Sequence, residues 1–183
     1  MSNTQLIVVI VAIAAVLVVA ALSVARRRRE RLRARFGPEY ERTVHDAGDA
    51  GRAESILARR ENRVKGYHIR PLSPEESQRF GQAWRSTQAR FVDDPSAAVV
   101  DADRLVIDLM TTRGYPMGDF DRRAEDLSVD HPHVVQHYRE AHGIAERHTE
   151  SGASTEDLRQ AVVSYRALFD DLLDVHEPER RRA

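Results

Sequence analysis

The sequence predicts an all-α chain: a single N-terminal transmembrane helix, a helical linker, then a four- to five-helix bundle. Three observations predict it. Leu6 to Ala25 form an unbroken apolar run, LIVVIVAIAAVLVVAALSVA, closed by Arg26-Arg27-Arg28-Arg29. Beyond Ser73, apolar residues recur at helical spacing and are punctuated by cap and proline signals. No stretch of useful length alternates as a strand would. The expected division is an anchor over 1–25, a basic juxtamembrane helix and linker over 26–70, a bundle over 71–176 and a flexible tail over 177–183.

At about 1.5 Å per residue, the apolar run matches the hydrocarbon core of a bilayer. Its flanks predict an orientation. Arg26, Arg27, Arg28, Arg29, Arg31, Arg33 and Arg35 are opposed only by Glu30. Basic residues beside a span stay on the cytoplasmic side. The expectation is a single-pass bacterial inner-membrane protein with its N-terminus outside and its C-terminal domain cytoplasmic. A cleaved secretory signal is the alternative, and Ser23-Val24-Ala25 resembles a small-x-small cleavage site. Against it, the basic n-region is missing and the apolar run exceeds the usual length.

Composition narrows the soluble part. With 183 residues, the chain has room for one such domain after the first 35. There is no cysteine, which excludes a disulfide scaffold and thiolate metal sites. Arginine outnumbers lysine 27 to 1, as codon bias in a GC-rich genome would produce. The net charge is only −1 but is unevenly spread. Arg26 to Arg70 hold 14 basic and 7 acidic residues, whereas 71–183 hold 14 basic and 22 acidic. An acidic distal domain does not suit nucleic acid, which binds through a basic face. The basic segment suits anionic lipid headgroups.

The elements follow in order. The first helix is expected to run on through the arginines to Phe36 and to stop at Gly37-Pro38. Glu39 to Lys65 favour helix but carry only a thin apolar stripe (Tyr40, Val44, Ile56, Leu57, Val64), with Gly48 and Gly51 weakening it. This reads as a solvated stalk with little core contact. Gly66 to Leu72 are an extended connection. Ser73-Pro74-Glu75-Glu76 form a capping box with proline at the first helical position. Phe80, Trp84, Thr87 and Phe91 continue that helix. Asp94-Pro95 cap the next, which carries Val99, Ala102, Leu105, Val106, Leu109 and Met110 and closes at Arg113-Gly114-Tyr115-Pro116.

A shorter helix surrounds Phe120, Ala124 and Leu127. Asp130-His131-Pro132 are expected to start another, carrying Val134, Val135, Tyr138, Ala141 and Ala145. Ser154 caps the last helix, whose stripe of Leu158, Ala161, Val162, Tyr165, Leu168, Phe169, Leu172 and Leu173 is the strongest in the chain. The tail from Glu177 is expected to fray.

Candidate chemistry is sparse. Five of the eight histidines lie between His131 and His148. His133 and His137, four apart, would share one helix face and are the weak candidates for a metal. The HExxH zinc pattern is absent, and His142 falls well round the helix. There is no GxSxG elbow, Walker loop, GxGxxG or EF-hand loop. Asp94 is explained as a cap, and Asp101 with Asp103 as a charged helix face. No catalytic residue and no cofactor is expected, and the chain is read as not an enzyme.

The runs FGPEYERTV (Phe36–Val44), IRPLSPEE (Ile69–Glu76), QARFVDDP (Gln88–Pro95), RGYP (Arg113–Pro116), DLSVDHP (Asp126–Pro132) and STEDLRQAVVSYRALFDDLL (Ser154–Leu173) together resemble an uncharacterised group. It comprises short actinobacterial-type proteins, described as membrane-anchored or secreted. The resemblance implies a bacterial membrane location and carries no activity or site residues. The functional expectation is an interaction or scaffold module. Its contacts would be anionic headgroups at the seven arginines and an unknown protein partner or a second copy. A small metal- or ligand-binding helical domain, or an exported helical protein, is the alternative.

Overall fold

The computed structural model describes residues 3–173, with side chains from Ala12 onward. The described residues form eight α-helices and no strand. The chain packs as two units, Met1–Ala58 and Arg59–Ala183.

In the first unit, α1 (Asn3–Phe36) is one continuous helix through the apolar run and the arginines. It stops where expected. Gly37 takes a positive φ of 48°, and Pro38 supplies the pre-set φ of the next first turn. Then come α2 (Pro38–Ala47) and the start of α3 (Ala50–Val64), separated at Gly48, a left-handed C-cap with φ 68°. Leu32, Phe36, Tyr40, Ala53 and Leu57 are fully buried or nearly so. The linker is therefore not a bare stalk. The stripe is thin because each helix contributes only one or two apolar residues, yet those residues are buried.

The expected membrane span is not supported. Among the described residues, no helix is long and apolar enough to cross a membrane. The part of the apolar run with described side chains is Ala12 to Ala25. At about 1.5 Å per residue it is about 20 Å long, short of a hydrocarbon core of about 30 Å. Leu6 to Val11, the rest of the expected anchor, lie outside the residues whose side chains are described. The single-pass topology, outside N-terminus and inner-membrane location lose their support with the span. The secreted alternative gains none, since Ser23-Val24-Ala25 sit within the uninterrupted helix and the Ser23 hydroxyl donates to the Val19 carbonyl (2.8 Å).

The second unit is the expected bundle, entered through the end of α3. Its helices are α4 (Pro74–Arg90), α5 (Pro95–Arg113), α6 (Phe120–Asp130), α7 (Val135–Ser151) and α8 (Thr155–Leu173). α8 packs against α5 and α7, and α4 packs against α5. That places the strongest apolar stripe centrally: Leu158, Ala161, Tyr165, Leu168, Phe169 and Leu172 are all buried. Trp84 is buried and stacks on Phe169, with ring centroids 4.7 Å apart.

The caps are local chemistry and fall as predicted. The Ser73 hydroxyl accepts from the Glu76 amide (3.1 Å), while the Glu76 carboxylate accepts from the Ser73 amide (2.8 Å). Asp94 accepts from the Ala97 amide (3.0 Å). Ser154 and Asp157 bond reciprocally at the start of α8. Gly114 ends α5 at φ 96°, where a Cβ would meet the His68 carbonyl oxygen at 2.4 Å. Two boundaries differ. The helical stretch expected over Glu39 to Lys65 is broken at Gly48 into α2 and α3. His131 and Pro132 do not start α7: α6 runs to Asp130 with His131 as its C-cap, and α7 begins at Val135 without a side-chain cap. The expected frayed tail from Glu177 lies outside the described residues.

Candidate functional site

Two surfaces contain residues singled out by sequence, one in each unit. On α1, Ile13, Val16, Leu17, Val18, Val19, Leu22 and Val24 are each more than half exposed. They point to every side of the helix, since consecutive residues turn by about 100°. A helix apolar all round is normally surrounded by apolar matter. Directly after this stretch come the arginines.

The seven arginines do not behave alike. The Arg29 guanidinium donates from Nε to Glu54 on α3 (2.8 Å), and the Tyr40 hydroxyl donates to the same carboxylate oxygen (3.1 Å). That bond to Glu54 raises the Arg29 pKa, and burial raises that of Tyr40. Arg33 pairs with Glu41 at 3.1 Å and lies over the Tyr40 ring, 5.1 Å from its centroid. Arg31 and Arg35 also have interaction partners. Arg26, Arg27 and Arg28 are exposed, and none of them forms an ion pair among the described residues.

In the second unit, the metal candidates are not brought together on one helix face. His133 lies in the turn before α7, and His137 lies within α7, 3.8 Å from Glu140. Their four-residue spacing has no helical meaning because α7 starts between them. No group of three or more His, Asp or Glu able to hold a metal ion occurs among the described residues. Asp101 pairs with Arg90 (2.6 Å), and Asp103 accepts from the Tyr165 hydroxyl (3.0 Å). Burial, then the nearby Asp103, holds that hydroxyl far above the ordinary tyrosine range.

The polar cluster that sequence missed lies where α5, α6 and α8 end. His131 Nδ1 is hydrogen-bonded to the Asp171 carboxylate, which lowers the Asp171 pKa. His131 Nε2 and the Tyr115 hydroxyl are both buried without a hydrogen-bond partner among the described residues, and their rings are 6.4 Å apart. Burial pushes the Tyr115 hydroxyl strongly upward. Arg113, itself buried, donates from Nη1 to the Leu172 carbonyl (3.1 Å) and from Nε to the Arg70 carbonyl (3.4 Å). Arg113 thus bonds to a carbonyl in the last described turn of α8. Arg63 at the end of α3 binds Asp126 (2.7 Å) and Glu125 (2.8 Å), and the Tyr67 hydroxyl also donates to Asp126 (2.9 Å).

These partners are about 40 to 60 residues apart in sequence, and no local motif marks them. The only hints available are charged residues at positions where a helix face is otherwise apolar, such as Arg113 and Asp126. No family model, curated protein or solved structure matches this chain.

Proposed function

We propose that this chain is an interaction module that acts by contact rather than catalysis, with α1 as its contacting element and the helical bundle as its head. The observation that supports this reading is the exposed α1 surface, which no described residue covers: large apolar side chains from Ile13 to Val24, followed at once by exposed arginines. Contiguous exposed apolar surface of this kind marks interaction sites. An apolar stretch adjoining guanidinium groups fits an anionic amphiphile, and phosphate-bearing lipid headgroups are the class of that chemistry proposed here. The reading needs contact with such a surface and no crossing of it.

Flotation of the full chain with vesicles tests it. The chain is expected to float with vesicles containing an anionic phospholipid, less with zwitterionic ones, and less again in high salt. Equal recovery with both vesicle types at every salt concentration would remove the proposal.

A further inference from the structure

The arginines of α1 differ in what they meet. Arg29 and Arg33 face carboxylates of the same unit at 2.8 and 3.1 Å, so their charges are locally offset by Glu54 and Glu41. Glu54 is mostly buried, and its bonds to Arg29 and to the Tyr40 hydroxyl join α1, α2 and α3. Arg33 stacks on Tyr40, which is itself 1 % exposed. Arg31 and Arg35 have partners as well. Arg26, Arg27 and Arg28 precede the first buried residue of α1, Leu32, by a full turn or more. They border the exposed apolar stretch, with no carboxylate paired to them among the described residues.

Resting on the reading of α1 as a contact element, we propose that Arg26, Arg27 and Arg28 carry the electrostatic contact with phosphate-bearing lipid headgroups, while Arg29 and Arg33 fasten α1 to its neighbours. An unpaired guanidinium keeps its full charge for an outside anion. One held by a carboxylate must first give up that partner, so it contributes less to binding.

The test compares two variants with the same charge loss. R26Q/R27Q/R28Q and R29Q/R31Q/R33Q each remove three positive charges from the full chain. Partition onto anionic vesicles is read by flotation, and fold by the thermal transition of the helical circular-dichroism signal. The first variant is expected to lose about 100-fold in anionic-vesicle partition, since each basic residue near the surface contributes separately, and to melt as the wild type does. The second is expected to lose less than about 5-fold and to melt at a lower temperature. Equal loss of partition in the two variants would overturn the division, because net charge alone would then set binding. So would a loss confined to the second. A wild-type chain with no preference for anionic vesicles would instead fail the reading of α1 as a contact element, a result visible before either variant is made.

Discussion

His131 and Asp171, forty residues apart, meet through a hydrogen bond from the imidazole Nδ1 to the carboxylate, tying the C-cap of α6 to the last turns of α8. Arg113 grips the same end of α8 through the Leu172 carbonyl. The end of the bundle's central helix is thus held by two side chains from other helices.

The Asp171 bond sets a pH dependence. His131 lowers the Asp171 pKa, and Arg113 and His133 act in the same direction. A carboxylate with a depressed folded pKa contributes stability that is complete above its unfolded value. That contribution disappears as the pH falls through the folded value, here below the ordinary aspartate range. Asp171→Asn should cost about 0.5–1.5 kcal/mol at pH 7, as one partly exposed hydrogen bond does, and much less in strong acid. Urea unfolding at both pH values checks it. An equal cost at both would show that the pair contributes no titratable stability.

Leu172→Ala should destabilise the bundle by about 2–5 kcal/mol, because the side chain is fully buried in the central stripe of α8. Chemical denaturation measures it. A cost below about 0.5 kcal/mol would mean that α8 is detached in solution.

Gly114→Ala should destabilise more than an ordinary helix-end substitution. The residue sits at φ 96°, and its Cβ would fall 2.4 Å from the His68 carbonyl oxygen. Backbone must move, so a loss above about 1 kcal/mol is expected. A neutral result in thermal unfolding would mean that the 66–72 connection moves freely away from α5.

Ser73→Ala removes one half of a reciprocal cap, at about 0.5–2 kcal/mol. The half-buried Glu76 carboxylate, its pKa lowered to about 2 by Arg70 and by the Ser73 amide, keeps accepting in the variant. Amide exchange at the first turn of α4 should therefore speed up while the rest of the bundle is unchanged. Uniformly faster exchange throughout the bundle would contradict a local cap.

Trp84 is the single tryptophan, 3 % exposed and stacked on Phe169. Native emission should be blue-shifted and should move to the red in one step with the loss of helical signal. Red-shifted native emission would place the ring in water and refute the packing of α4 on α8.

Sequence determined most of the helical architecture. Caps such as Ser73, Asp94 and Ser154, and the glycine stops at 37 and 114, act through bonds to residues three or four away, so their chemistry is complete in a short window. The stripe of α8 was equally legible, because burial of one face follows from 3.6-residue periodicity. Sequence also showed seven arginines, without showing that Glu54 and Glu41 engage two of them. Only the tertiary structure decided that, together with the meeting of His131 and Asp171, the docking of Arg113 on Leu172, and the turn that separates His133 from the helix of His137. The physical reason is range. A hydrogen bond between helices depends on how whole apolar faces pack, and a charged residue can satisfy its bonds with any partner that packing brings within about 3 Å.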